Sequence, residues 1–217
     1  MTETGSLPIA ATMTRLLRSR HGIAATEFGL IAPVFFLFIF GMFHLGHMVY
    51  AKAVFEGAVE RAARESSLET ADTDDADDMV EDMVKPILPG VVLTTTRTSY
   101  YDFADIARPE KWTDNKGKNS SGQWIDYPGR NNGICDQGEA YIDENRSGQW
   151  ESDIGTQGNG GAGDVILYTV KATYTPIFKV PFLPAQWTDK QLVATAVKKN
   201  QPFGNQTRYA ATAGTCT

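Results

Sequence analysis

The chain has 217 residues, 42% hydrophobic and 21% charged, with a formal net charge of −6; this suits one modest globular domain with an appendage, not two full domains. The charge is unevenly spread: residues 1–22 carry Arg15, Arg18 and Arg20 against Glu3, whereas residues 51–217 hold 17 Lys/Arg against 24 Asp/Glu. A basic head, an apolar stretch and an acidic body are not the layout of a nucleic-acid binder.

Residues 1–14 read as disordered. Phe28 to Tyr50 is a run of 23 residues without formal charge. As a helix it is roughly 35 Å long, enough to cross the hydrocarbon core of a bilayer. The arginines all precede it, so the positive-inside rule puts residues 1–22 in the cytoplasm and the chain beyond residue 50 outside it. A signal peptide has a shorter apolar core and a small-residue cleavage site after it; Met48-Val49-Tyr50 is no such site, so the helix is expected to stay in the mature protein. The helical pattern continues past the apolar run. Ala51, Val54, Phe55, Ala58, Val59 and Ala62 recur at i, i+3, i+4 spacing, with Lys52, Glu56, Glu60 and Arg64 between them, and Glu60–Arg64 is a favourable i, i+4 pair. The pattern predicts one helix over residues 23–68, apolar all round in its first half and amphipathic in its second. The amphipathic half packs on its own domain, or on other subunits as well.

A run from Glu69 to Val84 holds eight acids in 16 residues. It reads as a short helix with acids crowding its first turn, where the macrodipole favours them, and with Met79, Val80, Met83 and Val84 toward the core; Pro86 ends it. Three β-branched stretches, the first two also carrying aromatics, predict strands: Val91–Tyr101, Asp164–Phe178 (broken near Pro176) and Lys190–Lys199. Between the first two lies a polar insertion, residues 102–163. A structureless loop of that length inside a compact domain is unusual, so something must order it.

Two features could. Asp143, Asn145, Ser147 and Glu151, with the backbone carbonyl of Gln149, offer an oxygen at every second position around a Gly148 turn. That is the spacing of a loop curling around a hard cation such as calcium. The twelfth position is Ile154, so the bidentate closing ligand is missing and Asp153 or an outside carboxylate would substitute. The pattern half-repeats fifteen residues earlier, with Asp136 and with Glu139 at the twelfth position; it resembles the calcium loops of many secreted bacterial proteins. The other reading is a turn-rich loop with Trp124, Tyr141 and Trp150 packed on the sheet. The second feature is the pair Cys135 and Cys216, which in an exported domain could form a disulfide. Catalysis finds little support. His21, His44 and His47 all lie outside the exported domain. His44 and His47, at i, i+3 on the helix, could hold a metal between subunits or simply sit in helix packing. No nucleophile elbow, phosphate loop or CxxC is present.

Gly22-Ile23-Ala24-Ala25-Thr26-Glu27-Phe28 is a G-x-x-x-x-E-F box between the basic leader and the apolar helix. It resembles the prepilin-peptidase site of type IV pilins, and above all that of the tight-adherence (Tad) pilus system, where an aromatic residue follows the glutamate. The longer run from Gly22 to Ser66 resembles the TadE-like family of minor pseudopilins. Leu192–Phe203 resembles that family's closing strand, with Gln201 where Glu is commoner. The resemblance implies cleavage between Gly22 and Ile23 by a prepilin peptidase, an assembly role for Glu27 and Phe28, and pairing of Glu27 with the new amine of a neighbouring subunit. That pairing is physically reasonable, because a charge in lipid is costly unless partnered. Pro33 fits too, since a helix packed among others tolerates a kink.

The resulting expectation is an α+β, pilin-like subunit: a leader over 1–22, a transmembrane and assembly helix over 23–68, and a periplasmic domain over 69–217 on a small antiparallel sheet. It would be a single-pass protein of the bacterial inner membrane, with a cytoplasmic N-terminus. Its partners would be other Tad (pseudo)pilins, inner-membrane assembly proteins, the peptidase and membrane lipid, with no nucleic acid. The alternatives are a permanently anchored calcium-binding or adhesive module and an anchored enzyme.

Overall fold

The computed structural model describes residues 22–67, 73–126, 131–177, 189–201 and 210–217. The leader before Gly22, Leu68 with the first acids of the acidic run, Phe178, and Pro202–Phe203 lie outside these residues. Helix α1 spans Ile23–Glu65 and α2 spans Thr73–Val84. The strands are β1 (Val92–Tyr100), β2 (Lys116–Lys118), β3 (Trp124–Asp126), β4 (Ala140–Asp143), β5 (Thr156–Gln157), β6 (Val165–Tyr174), β7 (Lys190–Lys199) and β8 (Thr212–Thr215). The fold is α+β. The main sheet has the order β5-β1-β6-β7, and every pairing in it is antiparallel.

The period-2 alternation of β6 turns Tyr168, Val170, Ala172 and Tyr174 onto the helices, each buried to 2% exposure or less. Facing them are Ala51, Phe55, Ala58, Val59 and Ala62 of α1 and Ala76, Val80 and Val84 of α2. Small alanines let α1 lie close on the sheet. Each large side chain buried here contributes about 1.5–3 kcal/mol. The face of α2 is rotated from the expected one: Ala76, Val80 and Val84, at i, i+4, i+8, are buried, while Met79 and Met83 are half-buried and of the two Met83 packs against the core. Helix α1 ends at Glu65, with the Ser66 N–H on Ala62 O at 2.9 Å and the Ser67 hydroxyl donating to Arg64 O at 2.8 Å. Consecutive serines compete for backbone groups and favour a stop there.

One polar contact locks α2 to the sheet. The Arg97 guanidinium donates to both oxygens of Asp77, at 2.6 and 3.0 Å, and Thr95 and Tyr168 donate to the same carboxylate. Burial alone would raise the Asp77 carboxyl, but these donors outweigh it and hold it below its ordinary value.

The register fixes which end of the sheet is which. At the start of β1, the His47 ring bonds Ile87 O at 3.0 Å. At the other end, Lys198 pairs with Glu60, and Gln201 N–H donates to Ser67 O at 2.9 Å. The insertion leaves the sheet after Tyr100 and returns at Asp164, which puts it at the end farthest from the apolar half of α1.

Candidate functional site

The first site is the head of α1. Gly22 sits at the N-cap in helical conformation (φ −88, ψ −10) without a side-chain cap, and the helix runs through Pro33 unbroken. Thr26 Oγ1 donates to Ile23 O at 2.8 Å, a bond that keeps the first turn closed. Glu27 and Phe28 are exposed, and so is the apolar surface that follows: Leu30 is 81% exposed, Phe38 72% and Met42 80%. None of the most apolar 18-residue window is buried inside the protein. Monomeric soluble proteins rarely show a continuous apolar surface of this kind, so another apolar medium must cover it. By length and composition α1 can cross a membrane.

The second site is the insertion. It is ordered by two buried carboxylates. Glu139 is 1% exposed and takes three backbone N–H donors: Asn115 and Lys116 on Oε1, both at 2.6 Å, and Asp136 on Oε2 at 2.8 Å. Glu110 is fully buried and takes Glu144 N–H at 2.8 Å and Glu151 N–H at 3.2 Å, one on each oxygen. Each acid stands where a loop would otherwise leave peptide donors unpaired. Burial first, then the nearby Asp143 and Glu151, pushes the Glu110 carboxyl above its ordinary value, against the pull of its two N–H donors.

The eight oxygen-bearing residues picked out by spacing fall into three places. Asp143 accepts from Ser147 N–H at 3.1 Å and Gly148 N–H at 2.9 Å. Asn145 donates to Glu151 at 2.5 Å, and the Ser147 hydroxyl donates to Gln149 O at 2.9 Å. These five therefore share one turn, shaped by positive φ at Arg146 (64°) and Gly148 (79°). Asp136 and Glu139 belong to a separate turn. Asp153 accepts from Tyr100 Oη at 2.9 Å, and burial, then this contact, pushes the Tyr100 hydroxyl up to about 12. Among the described residues, no group of three or more His, Cys, Asp or Glu is arranged to hold a metal ion.

Cys135 and Cys216 are joined by a disulfide, with Cα atoms 5.9 Å apart. It fastens the C-terminal tail to the insertion, and the backbone does so as well: β8 pairs with β4, Gly138 N–H donates to Cys216 O, and Cys216 N–H to Glu139 O. Gly214 lies flat on the Tyr141 ring; a Cβ there would stand 2.3 Å from it. Tyr141 and Trp150 pack within the insertion rather than on the main sheet, with Trp112 and Trp150 edge-to-face at 5.0 Å. A cleft of about 770 Å³ opens between the end of β1 and the insertion, lined in part by Tyr100, Tyr101, Asp105 and Glu144. Of its three acids, Asp105 and Glu144 are committed to the Arg108 guanidinium, each at 2.9 Å, and Asp164 accepts from Gly161 N–H.

Sequence reasoning missed Glu110, the pivot of the Asp143 turn. Nothing in Pro109-Glu110-Lys111 distinguishes it from a solvated acid.

No curated protein and no solved structure matches the chain. The family model described as TadE-like protein matches residues 22–64, which is the head of α1 and nearly all of its length. A helix long and apolar enough to cross a membrane that carries this TadE-like match is consistent with a Tad pilus-associated membrane protein.

Proposed function

We propose that the protein is a minor pseudopilin of a Tad-type pilus or secretion machine. It is anchored in the bacterial inner membrane by α1, with its globular part on the periplasmic side, and is recruited by its helix into an assembly with other (pseudo)pilins. The observation that carries this is the head of α1: Gly22–Ile23, then Glu27 and Phe28, then an apolar helix bare on every side. Cleavage after Gly22 would free the Ile23 amine. Glu27 would pair with that amine on a neighbouring subunit, which offsets the cost of a carboxylate near lipid. The TadE-like family is structural and pilus-associated, and the role proposed here is structural rather than enzymatic.

The test is the intact mass of the protein recovered from membranes of a cell carrying a Tad peptidase. A mass lacking residues 1–22 supports the reading; an uncut mass removes it. In the same cells, Glu27→Ala is expected to leave membrane insertion intact and to reduce co-purification with other pilus subunits.

A second reading adds calcium binding in the insertion. Asp143, Asn145, Ser147, Gln149 O and Glu151 share one turn, and Glu110 beside it is raised by its burial first and then by the Asp143 and Glu151 carboxylates. A cation there would relieve that repulsion. Calcium at a hundredfold excess over Kd is expected to stabilise the full chain by about 2.7 kcal/mol and raise its melting temperature by roughly 5–10 °C. Asp143→Ala should abolish the shift; an unchanged melting temperature in the parent protein dismisses the calcium reading.

A further inference from the structure

We propose that the base of the globular part, around Ile87, Val92 and Ile177, rests in the headgroup layer of the bilayer that α1 crosses. This goes beyond the anchor and depends on it: the contact is made by the sheet end, not by the helix.

Hydrocarbon about 30 Å thick takes about 20 helical residues. Counted from Phe28, the first residue past Glu27, that length runs out near His47. At His47 the helix is already bonded to the globular part, through Ile87 O at 3.0 Å, and both His47 and Met48 are half-buried. The headgroup layer adds about 5–7 Å, or roughly four more helical residues. Whatever is level with His47 therefore lies within that layer.

The register brings a specific set of residues to this level. Val92 opens β1 opposite Thr173, Tyr174 closes β6 opposite Lys190, and Ile177 follows three residues later. Val92 is 64% exposed and Ile177 50%. Tyr50, on α1 at the same height, is 58% exposed and is of the residue type favoured at the water–lipid boundary. Lys52 and Lys85 also stand here, and each is paired with a glutamate, Glu56 and Glu81; Asp189 flanks Lys190. With these two lysines paired, the seat works through apolar side chains rather than through attraction to anionic lipid. It should therefore form on a purely zwitterionic bilayer.

The test uses the full chain in phosphatidylcholine nanodiscs containing doxyl-labelled lipid. A fluorescent thiol label is placed singly by Phe36→Cys, Val92→Cys, Ile177→Cys or Ile125→Cys; the native cysteines are tied in their disulfide. The expected result is quenching at 36 by deep doxyl groups, and quenching at 92 and 177 by shallow ones at least about threefold stronger than at the distal position 125. Quenching at 36 with 92 and 177 no different from 125 overturns the seat and leaves the anchor standing. No quenching at 36 removes the anchor and the seat together. Labels at 92 and 177 that are shielded from water yet unquenched by lipid also overturn it, because protein would then cover them: residues 178–188 or a second copy.

Discussion

Glu139 and Glu110 carry the organisation of the insertion, and each does so with one carboxylate. A buried N–H left without an acceptor costs about 1–3 kcal/mol. Glu139→Ala strands three such donors, so the expected loss is about 3–5 kcal/mol, near the upper end for single substitutions. Glu139→Gln should lose less, because its amide oxygen keeps part of the set while its NH2 confronts the rest. Denaturant midpoints of the full chain check both. Asp77 differs from these two, because its donors include a guanidinium. Removing one partner of a partly buried pair leaves the other uncompensated, so Asp77→Asn is expected to cost about 2–4 kcal/mol at pH 7. The sign of the pH effect follows from its lowered carboxyl. Asp77 contributes stability above the unfolded value, near 3.9, and that contribution is lost as pH falls through the folded value. Between pH 5 and pH 2 the parent protein should therefore lose more stability than Asp77→Asn, and equal losses would show that the pair does not carry the acid sensitivity. Glu110 works the other way. Its raised carboxyl favours the proton in the folded state, so its share of stability declines as pH rises through the unfolded value toward the folded one.

The elements divide by how far their residues reach for partners. Helix α1 was legible because its signals are local: an uncharged run, then Ala51, Val54, Phe55, Ala58, Val59 and Ala62 at helical spacing, of which all but the half-buried Val54 are buried in the core. Lys190–Lys199 is a strand over the residues expected, and β6 stops at Tyr174, two residues before Pro176. The insertion was legible only as something that needed ordering. Its strands are two to four residues long, β5 joins the main sheet from 56 positions past the end of β1, and β8 comes from the tail; no local period encodes such pairings. Glu110 was invisible for the same reason, because its donors lie 34 and 41 residues away. Two element-scale substitutions follow. Ala58 and Ala62 are fully buried against the sheet, so Ala58→Leu should overpack that seam and cost about 1–3 kcal/mol, read as a lowered melting temperature. The disulfide closes a separation of 81 residues, so Cys135→Ser with Cys216→Ser should lose up to about 4–5 kcal/mol on the chain-entropy account. The loss should come first from the insertion and tail, visible as faster hydrogen exchange in β4 than in β6.

At the scale of the whole molecule, α1 is one unbroken helix of 43 residues with two unrelated surroundings. Its lower half has no cover from the protein, and its upper half is the spine of the globular core. Any position taken by the lower half among neighbouring helices is therefore transmitted to the sheet and to the insertion at its far end. A continuous helix of this length transmits both height and rotation: each residue adds 1.5 Å and 100°. The consequence can be separated from stability. Two glycines inserted after Tyr50 fall between the last residue of the apolar run and Ala51, the first buried residue. They cost about 2 kcal/mol of helix propensity and the His47 bond to Ile87 O, and leave the packing of the globular part from Ala51 onward in place. They also turn the globular part by more than half a revolution relative to the anchor and loosen the joint. On the proposed role, the variant should still reach the membrane and stay folded, with a melting temperature lowered by about 5–10 °C. It should lose co-purification with other pilus subunits as fully as Glu27→Ala does. If assembly survives the insertion, the globular part does not need a fixed orientation on its helix, and recruitment resides in the apolar segment alone.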